Sequence, residues 1–462
     1  MCAGRVHGET CALFPGRFLG IVLAAVVLLL LSPPPVRAGL VPFPTDPVHH
    51  SENENITQIG DVLQIALPAV AGASTFIAGN DEGGIWDKEG TLQFAEAFGA
   101  AWSTTYVWKY AAHKLRPKAS NSYSYPSGHS MGAFTGAAFI GNRYGWKLGL
   151  PAYLAAGFTG YSRIQAQAHF ADDVTAGASV GILYNMLFTT RKKPPEFAVL
   201  PMTEEDGVGL MLLFADSGSG TASDAPRKSY EPFSPRFEYD FIFGPMFIAQ
   251  NKISVPRATG TTFELSDFGK INDPTTSAAL NLSLFLDEQN VVSLFWNPFE
   301  ARDIGTFENP VSFGGKIYPA YTDIISGWRL YDVRLNYKHR FLPESPFLLS
   351  LGAGMMYQDI RVDMGLEDRS ISSEVRESIV LPIAIGEIGY RFTRGFDLVA
   401  DASGMRMDDY RKLDLLCMAR FFLHERWKIS GGYWYYLMEM KTDELRNTVV
   451  YQGPYASVAY QW

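Results

Sequence analysis

The sequence predicts two structural halves, an all-α helical bundle over residues 59–195 and an antiparallel transmembrane β-barrel of about ten strands over residues 235–462. Three observations carry this. Apolar residues in the first half recur at helical spacing. After Pro235 the period drops to two. Between the halves lies a stretch dense in Gly, Ser and Pro.

Arg5 and Arg17 precede and adjoin an apolar run from Phe18 to Leu31, followed by Ser32, three prolines and the small-x-small pattern Val36-Arg37-Ala38. This reads as a signal peptide over residues 1–38, because the run is shorter than the roughly 20 residues a spanning helix needs. Residues 39–58 are polar and contain proline, which suits a flexible lead-in. Of 39 basic and 48 acidic residues, the leader takes three Arg and one Glu, leaving 36 against 47. That acidic balance argues against nucleic acid as a partner. Cys2 and Cys11 leave with the leader, so Cys417 stands alone and no intrachain disulfide can form.

In the first half, Phe94, Ala97, Phe98, Ala101 and Trp102 mark one helical face. Charged residues interrupt the apolar stretches, which suggests packed helices of a soluble or membrane-grazing domain rather than spanning helices. Residues 196–234 form the linker, with Ala215-Asp216-Ser217-Gly218-Ser219-Gly220-Thr221 and Pro226 and Pro232 at its centre. The apolar patch from Val208 to Phe214 within it is a stray strand with no assigned partner.

The barrel is read from alternation. In Trp328–Lys338 one face carries Arg329, Tyr331, Val333, Leu335 and Tyr337, and the other Asp332, Arg334, Asn336 and Lys338. In Phe396–Gly404 one face is Phe396, Leu398, Ala400 and Ala402, while Asp397, Asp401 and Ser403 share the other. An apolar outside around a polar lumen is what a membrane barrel needs. A soluble sandwich shows the same alternation. Three further features favour the membrane. Tight turns (287–289, 342–345, 393–395, 424–426) alternate with long polar stretches (248–276, 300–321, 363–377). Trp296, Trp328, Tyr433, Trp434, Tyr435 and Tyr436 crowd strand ends as an aromatic girdle would. The alternating segment Tyr455–Trp462 resembles the assembly signal of bacterial outer-membrane barrels.

The chemistry-bearing residues fall in three blocks. Lys109 and Arg116 are seven apart, two helical turns, and project from one face before Pro117 ends the helix. Pro126-Ser127-Gly128-His129 precedes an apolar helical run, so its backbone N–H groups form an anion site at a helix start. Ser162-Arg163 is followed by His169 and Asp173. This last pair lies i and i+4 on one helix, where the carboxylate can accept one imidazole N–H and leave the other nitrogen for substrate. Each block alone is common on surfaces.

Together, Lys-x6-Arg-Pro, Pro-Ser-Gly-His and Ser-Arg-x5-His-x3-Asp resemble, without a departure, the signature of the type 2 phosphatidic acid phosphatase superfamily. The resemblance implies a metal-independent phosphatase with no cofactor. In it His169 is the nucleophile that forms a phosphohistidine, Asp173 orients it, and His129 protonates the leaving alcohol. Lys109, Arg116, Ser127, the Gly128 N–H and Arg163 bind the phosphate oxygens. His113 and Asp172 stand outside the pattern as bystanders. The superfamily also includes vanadium haloperoxidases, with vanadate in the phosphate's place. A reading of another class makes the barrel an adhesin or channel and the helical half an accessory.

The implied partners are a phosphorylated lipid or a small phosphoester, together with outer-membrane lipid. The tether and the aromatic surroundings (Trp102, Tyr106, Trp108, Tyr123, Tyr125) suit a lipid phosphate or pyrophosphate. The expected location is the outer membrane, with the catalytic domain in the periplasm.

Overall fold

Asp87 begins the second helix by accepting the Gly90 N–H at 2.9 Å, a side-chain cap for an otherwise orphaned donor. The same carboxylate holds Arg143 in a two-pronged pair at 2.7–2.9 Å, so one residue both starts a helix and pins its neighbour. The computed structural model has five helices among the described residues: α1 Glu54–Ser74, α2 Lys88–Ala112, α3 Gly128–Tyr144, α4 Trp146–Gln165 and α5 Ala171–Phe188. The structure describes residues 54–77, 86–118, 121–192, 196–204, 207–215, 236–256, 260–265, 274–366, 370–423 and 426–462. The proposed leader over residues 1–38 and most of the lead-in lie outside them. Helix α1 starts at Glu54, inside the segment expected to be flexible.

Asp61 interrupts the apolar stretch of α1, yet by length and composition the helix is long and apolar enough to cross a membrane. Val62 and Ile65 on α1 and Leu154 on α4 are all about two-thirds exposed. A soluble bundle buries such side chains, so these faces suit contact with lipid. Within the bundle, Leu67, Ala71, Ala133, Ala137, Phe139 and Ala156 form the buried contact between α1, α3 and α4.

The linker contains an antiparallel hairpin, β1 Glu196–Glu204 and β2 Gly207–Ala215, so the apolar patch from Val208 pairs with the chain just before it. Ten barrel strands follow: β3 Arg236–Ser254, β4 Thr275–Phe285, β5 Asn290–Gly305, β6 Ile324–Arg340, β7 Phe347–Leu366, β8 Ser372–Thr393, β9 Phe396–Met407, β10 Tyr410–Phe422, β11 Trp427–Lys441 and β12 Arg446–Gln461. Each pairs antiparallel with the next, and β12 returns to β3 (Val458 opposite Phe241, Tyr460 opposite Tyr239), closing the barrel. Closure leaves no unpaired edge.

Alternation sorts the faces as expected for Asp332, Arg334, Asp397 and Leu398. The first three are buried and Leu398 is exposed. Two expectations change. Residues 363–366 and 372–377 are not loop but paired strand, with Asp363 opposite Glu374. The long connections are 255–274 and 306–323, both at the same end of the barrel. Trp328, Trp434 and Tyr436 do not form a girdle either. The two-residue period turns them inward, where they fill the lumen with Phe299, Met438 and Tyr451.

The helical half does not stand apart from the barrel. Helix α5 lies on the outer wall, with the Ser179 and Tyr239 hydroxyls 2.7 Å apart and the Trp296 Nε1–H donating to Thr175 Oγ1 at 3.1 Å. Trp108, Val180 and Leu183 pack with Phe241, Phe243 and Val458 in one buried cluster. The outward aromatics Tyr239, Phe241 and Phe243 of β3 are therefore covered by protein.

Candidate active site

Three chain reversals converge on one pocket. The α4–α5 turn supplies Arg163 and His169, the start of α3 supplies His129, and the end of α2 with its following loop supplies Lys109 and Arg116. The start of α5 is tied to the start of α3 because the Ser127 N–H donates to the Asp173 carbonyl at 2.9 Å. Gly177 makes this approach possible, since a Cβ there would strike the Ser127 carbonyl.

His169 is buried, and its Nδ1 lies 2.8 Å from the Ser124 carbonyl oxygen. A carbonyl can only accept, so Nδ1 carries the proton and Nε2 keeps its lone pair. Asp173 is 3.8 Å from Nδ1, too far for the direct hydrogen bond that the i,i+4 spacing suggested. The carboxylate instead accepts the Ser124 hydroxyl and the Phe170 N–H (2.9 Å), and faces Lys114 at 3.2 Å. Asp173 thus holds Ser124 and the helix start, and Ser124 holds His169. Burial pushes the His169 imidazole below its usual pKa, against the pull of Asp173. Burial alone would raise the Asp173 carboxyl, but Lys114 and the hydrogen bonds keep it below the usual carboxylate range.

His129 faces His169 with ring centroids 6.5 Å apart. Burial, with Arg163 and His169 nearby, lowers its pKa to about 4. Arg163 is buried and donates to Asp61 at 2.7 Å and to the Thr57 carbonyl at 2.9 Å. Lys109 donates to the Pro126 carbonyl at 2.7 Å, which sets its ammonium beside the α3 N-terminus. Burial and Arg116 lower its pKa to about 8. Arg116 is held through Nε by the Asn121 side chain at 3.0 Å. Ser127 is wholly buried as the α3 N-cap, accepting from Ser130. Its oxygen caps the helix, and neither of these bonds uses the hydroxyl hydrogen.

Sequence reasoning missed three groups. Ser124 acts through its carbonyl, which no residue type announces. Lys114 was counted only as part of a basic face, and Asp172, set aside as a bystander, is its buried ion-pair partner. Asp61 meets both Arg163 and His129 (3.4 Å) from the distant α1. His113 caps α2 in the left-handed region, φ 44°. Among the described residues, no three His, Cys, Asp or Glu gather as a metal site.

Residues 91–193 match the PAP2 superfamily model. Over 165 residues the chain is 32% identical to the lipid A 4′-phosphatase of Helicobacter pylori, covering 33% of this chain and 79% of that one. The chain belongs to the PAP2 superfamily. A second relative of this PAP2 protein, the lipid A 1-phosphatase of Porphyromonas gingivalis, is 43% identical over 82 residues, 17% of this chain and 18% of that one. Among solved structures, the outer-membrane protease OmpT of Escherichia coli aligns over 51% of this chain and all of its own, at 12% identity and a TM-score of 0.34.

Proposed function

We propose that this PAP2 protein is a metal-independent lipid phosphatase of the outer membrane, acting on a phosphorylated lipid of the lipid A class. One observation carries the reading most directly. The Ser124 carbonyl fixes the His169 tautomer, so Nε2 keeps its lone pair, with Lys109 and Arg116 near enough to act on the imidazole and Arg163 on His129. In the first step the His169 Nε2–phosphorus bond forms, the bond from phosphorus to the ester oxygen breaks, and His129 gives that oxygen its proton. In the second, His129 takes a proton from water, the oxygen of which attacks phosphorus and releases orthophosphate and His169. The charge that develops on the phosphoryl oxygens is met by three cations and the Gly128 N–H at the α3 start, the neutralisation a metal supplies elsewhere. Burial, with Arg163, His169 and Arg116 nearby, disfavours the His129 imidazolium, and a phosphate dianion beside it would offset those charges and favour the proton.

The closed barrel with an apolar outer face supports a place in the outer membrane. The linker alone would suspend the helical half in the periplasm. Its seat on the barrel wall favours a second placement, within reach of the headgroups beside the strand ends that carry the long connections 255–274 and 306–323. An epitope at Asn309 and another at Ser219 in the linker, probed on intact and permeabilised cells, locate the two ends.

The full chain in detergent micelles, with chelator present, should release phosphate from lipid A, and His169→Ala should not. Activity that needs added divalent metal would reject the mechanism. Halide oxidation with vanadate, without phosphate release, would favour the haloperoxidase reading.

A further inference from the structure

A cavity of about 220 Å³ with His169 in its lining has two walls of different origin. Pro117, Tyr161, Gln165, Gln167, His169 and Phe170 form the helical one. The other is the outside of the barrel, where Glu300, Arg302, Arg329, Tyr331, Arg361 and Asp363 line it. Barrel register explains how these charges come together. Glu300, Arg329, Arg361 and Arg376 stand opposite one another on β5, β6, β7 and β8. One step along, Arg302, Gly327 and Asp363 do the same on β5 to β7. A Cβ at Gly327 would sit 2.6 Å from the Asp363 carboxylate, so glycine opens the path by which Arg302 reaches across two strands to Asp363 at 2.7 Å.

Charge on this face needs an explanation. A charged side chain facing lipid is costly at mid-membrane and far less so at the interface. On β7 the outward residues change from exposed Met355 and Tyr357 to Asp359, Arg361 and Asp363. The apolar belt therefore ends at the height of the cavity, where lipid phosphates lie. Arg302 also donates to the Pro117 carbonyl at 2.6 Å, which ties the barrel to the loop after Arg116. The Nε groups of Arg302, Arg329 and Arg361 are buried without a hydrogen bond, while other nitrogens of the same side chains pair with Asp363, Asp359 and Glu374. Three guanidinium groups in one wall therefore keep donor capacity beyond their carboxylate pairs.

We propose that the barrel wall is a working part of the substrate site. Arg302, Arg329 and Arg361 bind a second phosphate on the same lipid while His169 attacks the first, so the substrate class is a bisphosphorylated lipid. This rests on the phosphatase reading and adds to it a specificity-determining role for the barrel. Planar guanidinium groups suit phosphate oxygens better than a point charge does. Asp359 retains Arg376 at 2.6 Å and Asp363 retains Arg302, so Arg329→Gln and Arg361→Gln leave those two carboxylates paired, while Glu374 loses Arg361, its partner at 3.1 Å.

The test uses the full chain in micelles with a bisphosphorylated glycolipid and its monophosphorylated counterpart. Arg329→Gln with Arg361→Gln should lower the ratio of kcat/KM for the first over the second at least tenfold, through KM rather than kcat. Arg329→Lys should recover only part of it. An equal loss on both lipids, or an unchanged ratio, overturns the proposal. Binding is read separately on the His169→Ala background, where the same double change should weaken capture of the bisphosphorylated lipid about tenfold and leave orthophosphate binding alone. Unchanged binding overturns the proposal. If instead the parent chain releases no phosphate while this binding difference persists, the phosphatase reading fails and the second site stands. Heat-dependent gel mobility confirms that each variant's barrel is closed.

Discussion

The Nδ1 of His169 meets the backbone carbonyl of Ser124 at 2.8 Å, and Asp173 reaches the imidazole only through Ser124 and the α5 start. This ranks the substitutions. His169→Ala should abolish turnover and remove the label trapped from a radiolabelled substrate at low pH. Asp173→Asn keeps an acceptor for Ser124 and Phe170 but removes the charge facing Lys114, and should lower kcat by about 10²–10⁴. Ser124→Ala keeps the carbonyl and loses only the hydroxyl, so its loss should be much smaller, about tenfold. Equal losses for Ser124→Ala and Asp173→Asn in single-turnover rates would show that the hydroxyl, not the carboxylate charge, is the controlling group.

Lys109 gives the site a pH limit. Burial and Arg116 lower its pKa to about 8, so the ammonium is lost some way below the usual lysine range. A protonated Lys109 attracts the phosphate and a neutral one does not. Binding should therefore be full below pH 8 and fall above it, with kcat/KM dropping tenfold per unit on the alkaline side. Lys109→Arg retains its charge and should move that fall to higher pH. A profile unchanged in Lys109→Arg would assign the alkaline limb to another group.

The side chains of the three blocks were legible in the sequence because side-chain chemistry is written in residue types. What was not legible is what the backbone and the second half add. Ser124 contributes a carbonyl, which every residue has. A two-residue period says that Arg329 and Asp332 face opposite ways but not which way is out. Nor does it say that Glu300 and Arg302 lie under a helix instead of under lipid. The ten strands were countable from turns and alternation. The inward aromatics were mistaken for a girdle because Trp434 and Tyr436 share a strand with Tyr433, which does face outward. Residues 363–377 looked like a loop because polar pairs such as Asp363 and Glu374 also occur in strands that rise above the apolar belt.

Gly177 sets the distance between the nucleophile helix and the anion site. Its missing Cβ is where the Ser127 carbonyl sits, and Gly181 similarly admits Thr135. Gly177→Val should push α5 from α3 and cost about 1–3 kcal/mol of stability by overpacking. It should also lower kcat more than tenfold, because His169 and His129 move with the two helices. Thermal unfolding and initial rates at a temperature where the variant is fully folded separate the two effects. A folded variant with full activity would show that the two helix starts need not stay this close.

The lumen decides between an anchor and a channel. Its short-turn end holds a charged cavity of about 610 Å³ that includes Arg334, Lys338, Glu387 and Arg420. Toward the end with long connections, Phe299, Trp328, Met356, Trp434, Tyr436 and Tyr451 fill the space, with Tyr436 and Tyr451 stacked at 4.4 Å. Between these regions Asp332 binds Arg334 at 2.6 Å and Lys412 at 2.5 Å, and Asp414 completes the cluster from β10. A water path would have to displace buried aromatics and break paired charges, so the protein in planar bilayers should show no single-channel steps. Asp332→Ala leaves two buried cations sharing one carboxylate, a loss of about 3–5 kcal/mol for a broken buried pair. It should lower the urea midpoint of barrel unfolding, followed by tryptophan fluorescence, and the unpaired cations should draw in water, so brief openings should appear in this variant alone. Steady conductance in the unmodified protein would reject the plug and restore the channel reading.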